Sequence, residues 1–356
     1  MKTITKEDKS LPTSILQFIL RQRSLGTKII TPRKQLPAGS QKLTPHNYAQ
    51  KRCDVSERHV SLSTEGRMEN GIWVYDMRPK QPARSNTLKR KRKRIYYFAG
   101  GAWQMPPSPE HWKLCAEVCN SLSTAEEECI VTMVSYPLAP NSPAAESFPA
   151  LVELYIALMT PGSTSSDSIE KDTTPTKKAS QEIITFAGDS AGGNIVLSLV
   201  LHMLSQPQYA PLRIPDSLLV ISPTADLTPQ NPSPSASEEP ALHTASKYDP
   251  ILSIPFTNSA AATWAGKWDA SDPRLTPLNA DMAVLAKKGV RLYGVTGSYD
   301  VLSPPTIRFK DECERLGVEG EWLDWRGQMH CFPLAWVYGM RESKEAKEWM
   351  LDVLRR

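Results

Sequence analysis

The sequence predicts an α/β protein whose mostly parallel sheet is covered by helices on both faces. Two patterns predict it. Short apolar runs of β type alternate with longer runs of helical period, and a glycine-flanked serine stands where one such run meets the next. The strands fall near 72–77, 95–98, 129–135, 183–187, 218–222, 290–296 and 321–325. Runs such as Leu218-Leu219-Val220-Ile221 are apolar throughout, as a strand buried on both faces requires. Helices fall near 108–121, 148–159, 191–205, 304–316 and 335–354, between or after those strands. Apolar residues are 40% of the 356, enough to fill a core.

Two insertions interrupt the alternation. Residues 161–180 are rich in Ser, Thr, Lys and Asp and poor in apolar residues, which predicts a flexible surface loop. Residues 229–270 begin Pro/Ser/Glu-rich and turn helical and aromatic toward Trp264 and Trp268, which predicts a cap. The expected organisation is an N-terminal segment over 1–57, a core over 58–228 and 271–356, and the cap insertion over 229–270. The N-terminal segment holds one short apolar helix near 14–23 and reads either as part of the cap or as a disordered tail.

The chemistry is carried by Gly188-Asp189-Ser190-Ala191-Gly192, which joins the run Ile183-Ile184-Thr185-Phe186-Ala187 to a long helical pattern. This is the strand, sharp turn and helix of a nucleophile elbow, with Ser190 at its tip. The bend strains the serine backbone, and glycines beside it let strand and helix approach.

Such a serine needs a base to take its proton. Of the histidines after Ser190, His202 lies too far along the same helix, about 18 Å from its start. His243 has no strand before it. His330 sits in a loop just past the strand near 321–325. Asp300 follows the strand near 290–296, one αβ unit earlier, and is the expected acid; Asp226 and Asp249 are weaker candidates. Its task would be to fix the imidazole tautomer and stabilise the imidazolium. An oxyanion hole would take one N–H from Ala191 and others from Gly100 and Gly101, in the loop Ala99-Gly100-Gly101-Ala102-Trp103 after the strand near 95–98.

With these residues in place the chain resembles the hormone-sensitive-lipase family of α/β hydrolases over roughly residues 70–355. Gly-Asp-Ser-Ala-Gly-Gly-Asn at 188–194 is similar to the family's nucleophile motif. Tyr136-Pro137-Leu138-Ala139-Pro140, Phe148-Pro149-Ala150 and Ser222-Pro223-Thr224-Ala225-Asp226-Leu227-Thr228 resemble further landmarks. Asp300-Val301-Leu302 and His330-Cys331-Phe332 resemble its acid and histidine signatures. The segment from Trp103 to Trp112 is similar to fungal members that tailor secondary metabolites. The resemblance implies an α/β-hydrolase fold, N-terminal helices in the cap, and serine carboxylic-ester hydrolysis without metal or organic cofactor.

The chain also departs from that pattern. Where the family has His-Gly-Gly-Gly, this chain has Ala99-Gly100-Gly101-Ala102. The missing histidine braces the loop in the family, so its loss bears on loop rigidity. Alanine at 102 would be strained if that position needs a positive φ, and Ala102 is left out of the expected donors. Pro137 replaces an arginine, which removes that arginine's salt bridge.

The expected substrate is a small to medium apolar acyl ester or an acetylated natural product. Trp103, Thr224, Asp226 and Trp264 are candidate pocket residues. Trp264 and Trp268, four apart, would share one helix face and either pack on the core or wall the pocket. A transacylase or a non-hydrolytic cyclase could use the same residues. A ligand-binding protein on a disabled hydrolase fold is the alternative from another class. The gibberellin receptors resemble the family in that way but lack its catalytic histidine, which is present here.

The formal charge of +4 does not imply a nucleic-acid partner. Residues 78–94 hold nine Lys/Arg and no acid, so the remaining chain is net acidic. The run from Lys89 to Arg94 reads as a solvated, mobile hairpin loop between the strands near 72–77 and 95–98, with a nuclear-localisation-like patch or contact with an anionic surface as the sharper readings. Six cysteines without a recognisable signal peptide point to reduced thiols and a cytoplasmic setting. No cysteine group has metal-site spacing. The apolar run from Ile15 to Leu20 is too short to span a membrane.

Overall fold

The computed structural model describes residues 1–26, 36–62, 71–80, 91–160, 182–230 and 240–356. Its strands are β1 (Lys2–Lys6), β2 (Cys53–Val60), β3 (Ile72–Pro79), β4 (Lys91–Phe98), β5 (Glu127–Ser135), β6 (Ile183–Asp189), β7 (Ser217–Ile221), β8 (Arg291–Tyr299) and β9 (Gly320–Met329). The helices are α1 (Leu11–Gly26), α2 (Asn47–Arg52), α3 (Pro109–Leu122), α4 (Ala144–Met159), α5 (Ser190–Ser205), α6 (Pro240–Tyr248), α7 (Ile254–Ala265), α8 (Ala283–Lys288), α9 (Ser303–Arg315) and α10 (Arg341–Arg355).

All nine strands join one sheet in the order β1-β9-β8-β7-β6-β4-β5-β3-β2. Pairing is parallel from β1 through β5 and antiparallel only where β3 joins β5 and β2 joins β3. Side chains alternate across each strand, so each face of the sheet builds its own core. Tyr96 and Phe98 of β4 enter one cluster with Leu154 of α4 and Ile195 of α5. Ile95 and Tyr97 enter the other with Leu114 of α3 and Met350 of α10. The mostly parallel sheet with two covered faces is therefore present as read from the sequence.

The edges differ from expectation. The N-terminal segment supplies two strands. β1 lies parallel on β9, pairing Ile4 with Leu323, and β2 runs across the expected boundary at 57/58. Both have polar, half-exposed patterns, so they carry no buried-strand signal. The expected hairpin is also absent, because β5 lies between β3 and β4. Lys91 to Arg94 form the start of β4. Lys93 is buried and donates to the Leu354 carbonyl at 2.6 Å, while Arg94 reaches Glu182 at 3.0 Å. Lys89, Arg90 and the insertion at 161–180 lie outside the described residues. The C-terminal helix is broken at Gly339, whose φ is +85°, so a short 3₁₀ segment (Phe332–Tyr338) precedes α10.

Candidate active site

The expected site residues other than Trp264 follow the C-terminal ends of parallel strands: Gly100 after β4, Ser190 after β6, Thr224 after β7, Asp300 after β8 and His330 after β9. Loops at that edge of a parallel sheet converge on one crevice. A cavity of about 970 Å³ opens there, and Gly100, Gly101, Trp103, Ser190, Thr224 and His330 all line it.

Ser190 has φ +52°, a strained value for a residue with a Cβ. Gly192 makes the bend feasible, since a Cβ there would collide with the Phe98 carbonyl. Asp300 is fully buried, and its Oδ2 lies 2.8 Å from His330 Nδ1. Its Oδ1 accepts from the Leu302 N–H at 2.9 Å. Burial alone would push the His330 imidazolium to lower pKa, but the Asp300 carboxylate outweighs burial and holds it well above the ordinary histidine value. His330 Nε2 rests 3.4 Å from Cys331 Sγ, and no hydrogen bond joins it to Ser190 Oγ among the described contacts. Such bonds are often long before substrate arrives.

A second Asp–His pair stands behind the elbow. Asp189 Oδ1 accepts from Tyr97 Oη at 2.8 Å and from the Gly100 N–H at 3.0 Å. Its Oδ2 lies 3.1 Å from His111 Nε2. The Ser108 N–H donates to His111 Nδ1 at 2.9 Å, so the ring proton sits on Nε2 and points at Asp189. Burial favours the neutral Asp189 carboxyl, yet His111 and the other donors hold its pKa below the ordinary value.

This arrangement corrects the expected oxyanion donors. The Gly100 N–H is spent on Asp189 and cannot face a substrate oxygen. Gly101 N and Ala102 N have no hydrogen-bond partner among the described residues. Ala102 and Trp103 have φ +54° and +57°, so the alanine is strained at the position where the family pattern has glycine. The loop is nevertheless braced. Tyr136 Oη donates to the Ala99 carbonyl at 2.7 Å, and the Gly101 carbonyl accepts from Gln104 N and Met105 N.

The pocket residues separate. Trp103, Thr224 and Asp226 line the cavity, but Trp264 does not. Trp264 is buried behind Trp103 and stacks on it, with centroids 5.9 Å apart and planes 8° apart. Trp268 shares no helix face with it, because α7 ends at Ala265 and Trp268 packs on Phe148 and Arg274. Asp226 Oδ1 accepts from Thr228 N and Oγ1 in its own turn, and its Oδ2 accepts from Arg308 at 3.4 Å. His202 packs edge-on against Phe148. Leu16 and Leu20 of α1 and the stretch from Ser246 to Ala261 complete the wall.

Sequence reasoning missed His111, Tyr97 and Tyr136. His111 precedes Ser190 by 79 residues and reads locally as a capping residue of α3. The one signal for it was the aspartate in the elbow motif, a charge that burial at a strand end obliges some partner to meet.

Comparison with known proteins agrees with this fold. The profile of a family described as alpha/beta hydrolase fold matches residues 95–334. An esterase of Acinetobacter venetianus is 26% identical over 262 residues, covering 73% of this chain and 72% of the relative. Carboxyl esterase 2 of the mycorrhizal fungus Tuber melanosporum superposes with a TM-score of 0.71 at 18% identity, covering 98% of this chain and 99% of that one. A hormone-sensitive lipase from a metagenome library gives 0.66 at 18% identity, covering 98% and 99%. At such identities the structural likenesses speak to the fold alone.

Proposed function

This chain belongs to the α/β-hydrolase family, and on that premise we propose that it is hormone-sensitive-lipase-like and cleaves carboxylic esters with Ser190, His330 and Asp300 as a catalytic triad. The observation that carries the reading is the Asp300–His330 pair at 2.8 Å: His330, whose Nε2 meets the Cys331 thiol, lines the cavity that Ser190 also lines. Ser190 Oγ attacks the acyl carbonyl while His330 Nε2 takes its proton. Asp300 keeps the proton on Nδ1 and stabilises the imidazolium. The oxyanion meets the N–H groups of Gly101, Ala102 and Ala191, with Gly100 bracing the loop. His330 returns its proton to the leaving alcohol, and water then repeats the cycle on the acyl-enzyme.

Substrate character follows from the wall. Met105, Phe256, Leu302 and Leu334 give apolar surface, which suits an acyl chain or an aromatic acyl group. Glu110, Asp189, Asp226 and Asp249 also line the cavity, while Arg21 is the one Lys or Arg among its described lining residues. A neutral or cationic ester therefore fits better than an anionic one. α1 and the 240–265 helices act as the cap over this pocket.

The test uses wild type and Ser190→Ala with a fluorophosphonate probe and with p-nitrophenyl acetate and butyrate. Wild type should label and turn over both esters, and the variant should do neither. Wild type that neither labels nor hydrolyses would refute the reading and leave a ligand-binding role.

A further inference from the structure

We propose that Asp249 is a positioning residue: its carboxylate clamps the acid loop after β8 to the pocket wall between α6 and α7, and so sets Asp300 against His330. The proposal rests on the triad assigned above. Asp249 directly follows α6, and its N–H donates to the Ala245 carbonyl at 2.7 Å. Its Oδ1 accepts from Ile251 N and Leu252 N at 2.8 Å each, and both residues line the cavity. Its Oδ2 accepts from Val301 N at 3.0 Å. Val301 is the next residue after Asp300. One carboxylate thus holds the cavity wall and the acid loop in one register.

Apolar side chains seal the junction. Leu242 and Ala245 of α6, Ile254 of α7, and Val301 and Leu302 of the acid loop form a small core of their own. Asp249 is 6% exposed, so the three N–H groups it meets have little water to fall back on. Only a carboxylate offers two acceptor oxygens to three donors; asparagine would turn an NH₂ toward one of them.

The clamp is costly, which argues that it is more than a convenient turn. Asp249 and Asp300 are neighbouring buried acids, and no cation pairs with Asp249 among the described residues. Burial first, and then the Asp300 charge, push the Asp249 carboxyl up to about 7, against the pull of the three N–H groups. The other titratable groups nearby sit farther out. Tyr248 of α6 stacks on Tyr299 of β8, with Arg21 over the first ring and Lys9 over the second. Lys247 leans on the Tyr248 ring. On the inner side stand Asp300 and His330. Ionised Asp249 therefore adds negative potential where His330 must carry its proton.

The experiment compares wild type with Asp249→Asn and Asp249→Ala, each checked for fold by circular dichroism. With p-nitrophenyl butyrate, Asp249→Asn should lower kcat by about 10²-fold, the loss typical of a group displaced by 1 Å, with little change in KM. The acid limb of its kcat/KM profile should move about one pH unit lower, because a charge that supports the imidazolium is gone. The downfield proton resonance of His330 Nδ1 is followed against pH in all proteins, with or without turnover. In wild type it should show an extra inflection near neutrality that Asp249→Asn lacks. A folded Asp249→Asn with wild-type kcat, acid limb and resonance would overturn the proposal. So would a folded Asp249→Ala whose His330 Nδ1 resonance keeps the wild-type chemical shift and pH dependence. Absence of turnover in wild type instead strikes the esterase reading and leaves the resonance test intact.

Discussion

Two aspartate–histidine pairs flank the same serine, and they are set for opposite tasks. Asp300 engages His330 through Nδ1 and leaves Nε2 toward the cavity, against only the Cys331 thiol. Asp189 engages His111 through Nε2, and Ser108 closes Nδ1 from the other side. In the proposed reaction the first ring keeps one nitrogen for chemistry, while the second has both nitrogens engaged by Ser108 and Asp189. The lesson is that a buried Asp–His contact of about 3 Å does not identify a catalytic base. What decides is whether the remote nitrogen is free. Cys331 Sγ stands between the pairs, 3.4 Å from His330 Nε2 and 3.7 Å from Asp189 Oδ2, and burial pushes its thiol up to about 12, so it stays neutral.

This contrast can be broken from either side. His330→Ala should cost about 10⁶-fold in kcat, as loss of a triad base does. Asp300→Asn should cost about 10⁴-fold through the wrong tautomer. His111→Ala should act mainly on stability. It takes one of three donors from the buried Asp189 carboxylate, leaving Tyr97 Oη and the Gly100 N–H, and should cost about 1.5–3 kcal/mol in urea unfolding. Its kcat should fall far less than that of His330→Ala, through looser seating of the Gly100 amide. Equal rate losses in the two histidine variants would refute the division of labour.

The pH dependence separates the pairs again. Turnover needs uncharged His330, whose pKa is raised by Asp300, so kcat/KM should climb with pH through a midpoint above about 6.5. Asp189 has a depressed pKa, so its stabilising effect is complete above its unfolded value of about 3.9. That effect is lost as pH falls through the lower folded value. Acid unfolding of Asp189→Asn should therefore lack this component. The smallest effect is expected at the oxyanion loop. Ala102→Gly relieves a positive φ and should stabilise the fold by about 0.5–1 kcal/mol. With its Cβ gone, the variant should also accept bulkier acyl groups, seen as a lower KM for them.

The parts of the site that were legible in sequence share one property: their signal is local. Ser190 is announced by the strand before it, the glycines around it and the helix after it. Asp300 and His330 are announced by the strands they follow and by the one αβ unit between them. The sheet core was legible for the same reason, since β6 and β7 are apolar runs that no exposed strand would carry. The polar edge strands β1 and β2 were not, because edge strands need no such run.

The sequence by itself determined the strand and helix alternation, the strand–serine–helix bend, the order of the proposed triad residues and the unusual Ala99–Ala102 loop. Tertiary structure alone decided which amide is left for the oxyanion, because that depends on Gly100 meeting Asp189 across 89 positions. It also decided that His111 braces rather than catalyses, that Trp264 backs Trp103 instead of walling the pocket, and that Lys93 is buried at the Leu354 carbonyl. The physical reason is that periodicity and turn chemistry act between near neighbours in the chain. The choice of partner for a buried polar group is made only when distant elements are packed against it.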